Sequence, residues 1–194
     1  MPSSINSNVV DGNGDGGNLN INTQNLVLSN QGFISTANAG SGNSGDIKID
    51  VNSLAITERG RIDGGVRGTG NGSNITINAE DSVSVIGNSE FSSFIAVNIE
   101  STGTGQAGNI EINTPELAVR DGFISADVFG NGEGGTIDIS ISELIVQDGS
   151  FISADVFGNG NGGTINISAS DSIELFNTAL IQAVVFEDST GNAG

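Results

Sequence analysis

The chain has 194 residues, no His, Cys, Trp or Tyr, and 23 acidic against 5 basic side chains, a net charge of −18. The lack of Cys removes disulfides, thiolate metal sites and cysteine nucleophiles, and the charge makes nucleic acid and anionic membrane surfaces poor partners. No stretch approaches the roughly 18 apolar residues of a spanning helix, so membrane insertion is not expected.

Residues 1–11, MPSSINSNVVD, lack the apolar core of a signal peptide and read as an irregular N-terminal segment. Either secretion is signalled outside this chain or the protein is not secreted. From residue 12 to 194 the chain is one repetitive domain without a linker. Anchors recur near Gly17, Gly45, Ser73, Gly108, Gly135 and Gly163, with a seventh at Gly194, and the block FISADVFGNG occurs unchanged at 123–132 and 151–160. A repeat of this length is a supersecondary unit that buries its apolar face only by stacking on its neighbours. The end on a fresh anchor suggests excision from a longer array.

Each repeat opens with an alternating pair: Leu19/Ile21, Ile47/Ile49, Ile75/Ile77, Ile110/Ile112, Ile137/Ile139 and Ile165/Ile167. The residues between them (Asn20, Lys48, Thr76, Glu111, Asp138, Asn166) vary freely, as outward positions do. A second pair follows: Leu26/Leu28, Leu54/Ile56, Val83/Val85, Leu117/Val119, Leu144/Val146 and Ile173/Leu175. Period two in both predicts two short strands with one buried face each. A third strand is predicted at Phe33-Ile34, Ile62, Phe94-Ile95, Phe123-Ile124, Phe151-Ile152 and Leu180-Ile181. Phe123, Phe151, Phe129 and Phe157 are assigned to core positions.

Three short strands per repeat and no 3.6-residue period predict an all-β, right-handed parallel β-helix of about six coils of ~28 residues. At roughly 4.8 Å per coil the rod would be about 29 Å long. The longer repeat 73–107 is expected to bulge at Gly87–Ser93 or Ala96–Gly105. The 30 Gly cluster in corners such as GNGDGG and GNGEGG, where positive φ is expected. The column Asn22, Asp50, Asn78, Asn113, Ser140 and Ser168 is read as a structural amide ladder. No capping element is evident at either end, and open sheet edges invite end-to-end self-association.

The unit G-[ND]-I-x-I-N-x-x-x-L-x-[VL]-x-x-G-x-I-S-A, closed by a GNGxGG-type corner, is cleanest at Gly108–Gly134. It resembles the repeats of large secreted filamentous-haemagglutinin-like proteins of the cyanobacterial type, over about residues 12–194. The resemblance implies two-partner secretion through an outer-membrane pore, a β-helical passenger at or beyond the cell surface, and adhesion to a glycan or cell-surface protein. The NPNG-like and NPNL-like motifs of that family's secretion domain are not visible, so this chain would belong to the repetitive shaft.

The function expected is therefore a non-catalytic, secreted or cell-surface stalk or adhesin segment. The alternatives are a polysaccharide-binding or polysaccharide-processing β-helix and a weakly calcium-binding surface-layer component. Asp127 and Asp155 share a repeat position, as do Asp121 and Asp148, but duplication accounts for both pairs without the spaced carboxylates of a glycosidase. A lyase would want a basic residue near acidic metal ligands; Arg59, Arg61 and Arg67 lie beside Glu58 and Asp63, where ion pairing is the simpler expectation. No cofactor is called for, calcium alone being a candidate. Asp11, Asn13 and Asp15 open like an EF-hand loop, but its twelfth position is Asn22, not Glu. Stacked Asp127 and Asp155 should repel unless a cation or water intervenes. Thr76, Thr136 and Thr164 do not form the continuous column that ice binding would need. The Asn-x-Ser/Thr triplets at Asn71, Asn74 and Asn166 arise readily in repeats of this composition. Candidate partner-binding regions are the irregular repeat 73–107 and the corner carrying Asp127, Phe129, Asp155 and Phe157.

Overall fold

A computed structural model describes residues 2–186 and Ser189; the anchor at Gly194 lies outside them. The described chain is all-β, with strands stacked in parallel about one repeat apart, and forms a β-solenoid of about six turns. The two alternating pairs of each repeat run on as one bent strand: Leu19–Leu28, Ile47–Thr57, Ile75–Ile86, Thr136–Gln147 and Thr164–Leu175. Only the coil holding Pro115 splits it, into Ile110–Asn113 and Glu116–Arg120. Pro has no N–H to give to a ladder, whereas its carbonyl accepts from the amides of Ser142 and Glu143 in the next coil.

The predicted register holds. Leu19, Ile47, Ile75, Ile110, Ile137 and Ile165 are successive partners, as are Leu26, Leu54, Val83, Leu117, Leu144 and Ile173. From Ile47 to Leu144 these two columns are at most 1% exposed. The third strands (Ser4–Asn6, Phe33–Ser35, Arg61–Asp63, Ser93–Ala96, Gly122–Ser125, Phe151–Ser153, Leu180–Gln182) make a seven-stranded parallel sheet across the core. Here the structure corrects two expectations. Ser4–Asn6 pairs with Phe33–Ser35, so the segment 1–11 includes a regular strand. And the Phe of the F-I-S motif points outward: Ile34, Ile62, Ile95, Ile124 and Ile152 fill the core at 0% exposure, while Phe94, Phe123 and Phe151 stack outside with centroids 4.7 and 4.9 Å apart. Two adjacent residues of a strand face opposite ways, so only one can enter the core.

A fourth column was not foreseen. Val9, Asn38, Val66, Ile99, Val128, Val156 and Val185 are joined by parallel bridges. Ile99, Val128 and Val156 form a small second core with Ala107 beneath the glycine corners. The corners need Gly for closeness as much as for dihedral angle. Gly160 and Gly105 have φ of +148° and +141°, and a Cβ on Gly160 would stand 1.5 Å from the carbonyl oxygen of Gly132 one coil below. Left-handed pairs occur instead at the turn before the third strand, at Asn30-Gln31, Glu58-Arg59 and Asn177-Thr178.

The long repeat 73–107 spreads its seven surplus residues over three places. Partner offsets rise from 28 (Ile47↔Ile75) to 29 (Ser53↔Ser82) across a bulge, and to 33 (Arg61↔Phe94) across the loop 87–92. They reach 35 (Thr69↔Thr104) across the turn closed by the Gly103 N–H on the Glu100 carbonyl. Both expected bulge sites are therefore used. Each sits where the chain leaves a column, which keeps the stacked positions in register.

Candidate functional site

The corner carrying Asp127 and Asp155 has an inside and an outside. Asp127 and Asp155 are 4% and 2% exposed. Asp127 Oδ1 accepts the backbone N–H of Asp155 at 2.8 Å and Oδ2 the Ser153 hydroxyl at 2.9 Å. Asp155 repeats the pattern one coil on, accepting from the Val184 N–H and from Gln182 Nε2. Asn98 stands in the same column below, its Oδ1 accepting the Asp127 N–H at 2.7 Å. The stacked acids thus reach up to cap the amide of the next coil. Burial, more than the neighbouring Asp155 charge, pushes the Asp127 carboxyl up to about 6 from an ordinary 3.8. Phe129 and Phe157, expected in the core, instead face solvent at 40% and 41% exposure. They stack at 4.8 Å, and Phe186 extends the file at 4.4 Å. These four residues share a corner but not a surface: the rings are displayed and the carboxylates are enclosed.

The acids of the glycine corner also serve as ladder acceptors. Asn13 Oδ1 takes the Ser41 hydroxyl at 2.7 Å, and Asp15 Oδ1 takes the Asn43 N–H at 2.7 Å. Asn43 Oδ1 in turn accepts the Asn71 N–H at 3.0 Å. Asp11 is exposed in the same corner, and among the described residues no three acidic side chains gather as a metal-ligand set. Of the predicted ladder, side-chain hydrogen bonds join the middle three members, Asn78 Nδ2 to Asp50 Oδ1 at 2.8 Å and Asn113 Nδ2 to Asn78 Oδ1 at 3.0 Å. The Asn78 hydrogen bond, with that of Lys48, lowers the Asp50 carboxyl below its usual range. A parallel ladder through Asn18, Asp46, Asn74 and Asn109 ends on the Thr136 N–H. The Asp50 column lines an open groove of about 660 Å³ that runs past the bends of five coils, from Asn22 to Ser140.

The irregular repeat builds a different surface. Loop residues Asn88 and Phe91 form an antiparallel bridge, and Asn88 Oδ1 accepts the N–H groups of Glu90 and Phe91, both at 3.0 Å. The loop carries Phe91 beneath Arg59, whose guanidinium carbon is 3.2 Å from the ring centroid. Arg61 lies over Phe33 at 4.3 Å. The expected ion pairing is found only for Arg67, 3.4 Å from Asp63. Among the described residues neither Arg59 nor Arg61 has a carboxylate oxygen within 4.0 Å. With Gln31, Glu90, Ser92 and Phe94 these arginines line a pocket of about 430 Å³. The arginine cluster was visible in the sequence; its pairing with Phe91 was not, because only the loop brings the two together.

No family model, curated protein or solved structure matches the chain.

Proposed function

We propose that the chain works as a segment of an extended, acidic shaft at or beyond the cell surface, displaying repeated side chains to partners. The observation that carries this reading is the continuity of the columns. Side chains of like kind stack from coil to coil, and the corner acids Asp15, Asp46, Asp127 and Asp155 are spent on capping the adjacent coil. Both oxygens of Asp127 are engaged within the protein, so this carboxylate is a strut rather than a free general base. A solenoid extends reach with each coil added. The outward phenylalanine files, Phe94/Phe123/Phe151 and Phe129/Phe157/Phe186, repeat one chemistry at a fixed spacing, so weak contacts to them would add by avidity. The resemblance to haemagglutinin-like repeats supports the same reading. It extends it to a parent protein exported through an outer-membrane pore, with a glycan or cell-surface protein as partner.

Immunoblotting of fractionated producer cells, with serum raised against this chain, tests it. The expected result is a surface or medium band far above 19.5 kDa. A cytosolic band near that mass would overturn the shaft reading.

A further inference from the structure

We propose that the pocket between the Glu58–Gly60 turn and the inserted loop 87–92 binds a carboxylate-bearing sugar, held by Arg59 and Arg61. The site does not depend on the shaft reading.

Charge is the first argument. The chain has 5 basic and 23 acidic side chains. Lys48, Arg67 and Arg120 each sit 3.2 to 3.4 Å from a carboxylate. Among the described residues Arg59 and Arg61 do not, and they line one pocket. Two cations gathered beside each other repel, and in so acidic a molecule a nearby carboxylate would be the ordinary remedy. Glu90 lines the same pocket, but among the described residues no carboxylate oxygen comes within 4.0 Å of either guanidinium, which leaves that pairing to an external anion.

Preorganisation is the second. Phe91 and Phe33 each hold one guanidinium against a ring. This fixes two long side chains that would otherwise lose rotamer freedom on binding, and a guanidinium fork matches the two oxygens of a carboxylate. Among the described residues neither arginine side chain donates a hydrogen bond within the protein, so the donors remain for a ligand. Phe91 reaches Arg59 only because four extra residues were inserted there, as the offset change from 29 to 33 shows.

The pocket also selects. Its volume of about 430 Å³ suits one or two sugar rings, and its lining includes Gln31 and Ser92, which can hydrogen-bond hydroxyl groups, and the apolar Phe94. A net charge of −18 repels polyanions far more than a single carboxylate. Glu90, on the pocket wall, works against a second negative group while being able to accept from a hydroxyl.

Nuclear magnetic resonance titration of the full chain with galacturonate, its methyl ester and inorganic phosphate tests the site. Galacturonate is expected to shift the amides of residues 58–61 and 87–94 saturably, with the ester and phosphate at least about tenfold weaker. Glu90→Gln should tighten galacturonate binding about two- to threefold, and an Arg59→Gln/Arg61→Gln variant should weaken it about tenfold or more. Phe91→Ala removes the aromatic face beneath Arg59 while keeping Glu90, and should also weaken binding while the Ile95 and Ile124 amide signals stay those of the folded parent. No saturable shift up to about 20 mM, equal binding of acid and ester, equal binding of phosphate, or indifference to the double variant would each overturn the proposal.

Discussion

Asp127 joins two facts that pull apart: both of its carboxylate oxygens are hydrogen-bonded, yet burial raises its pKa from 3.8 to about 6. Between those values the native state keeps a proton that the unfolded chain has released. The favourable contribution is whole below about pH 4, falls as pH rises, and is gone above about 6. Replacing the charge should therefore help at neutral pH. In Asp127→Asn the amide oxygen still accepts the Asp155 N–H, and the amide nitrogen can donate to the Ser153 hydroxyl. In the coil below, Asn98 already fills the same role with an amide. The variant is expected to gain about 2 kcal/mol at pH 7.5 and to lack Asp127's share of the decline in stability expected of the parent between about pH 4 and 6. Urea unfolding at a series of pH values checks both. Asp127→Ala would instead orphan the buried Asp155 amide and cost about 1–3 kcal/mol, so it reports on packing before it reports on any partner.

At the scale of elements, the inserted loop is an addition to the solenoid rather than a member of its frame. Its antiparallel bridge and Asn88 hydrogen bonds are internal to it. Deleting Asn88–Phe91 leaves Gly87, Ser92 and Ser93 to span what Glu58, Arg59 and Gly60 span in the coil below. The expected outcome is a folded protein whose midpoint stability falls by no more than about 1 kcal/mol, the scale of the lost, solvent-exposed Arg59–Phe91 contact; a collapse of cooperative unfolding would show that the loop nucleates the coil. The third strand shows where sequence reading went astray and what signal it held. Phe and Ile are neighbours in F-I-S, and hydrophobicity alone does not say which goes in. The column does: Ile34, Ile62, Ile95, Ile124, Ile152 and Ile181 never change, while the Phe33, Phe94, Phe123 and Phe151 column admits Arg61 and Leu180. A position that accepts Arg is outward. The buried Asp127–Asp155 file gave no such sign, because Asn98 and Gly65 in its column fit a solvated turn as readily as a capped interior.

At the scale of the molecule, coil count and register were legible because stacking repeats one period-two pattern, and every surplus residue was placed outside it. What stacking implies for stability is equally direct. Each coil is held by its neighbours, so stability should follow position rather than local sequence. Residues 136–140, TIDIS, and 164–168, TINIS, are near-identical and pair with each other in register. Ile137 and Ile139 have coils on both sides and are 0% and 1% exposed. Ile165 and Ile167 are only partly buried, and further along the same coil Ile173, Leu175 and Leu180 are 44 to 52% exposed. Intrinsic exchange chemistry is nearly the same for the two segments, so hydrogen exchange isolates the effect of their different burial. The amides of 136–140 are expected to exchange at least about tenfold more slowly than those of 164–168, through local opening of the less buried coil. Equal rates, matching global unfolding, would mean that the six coils open only together and that the array behaves as one cooperative unit rather than a chain of coupled ones.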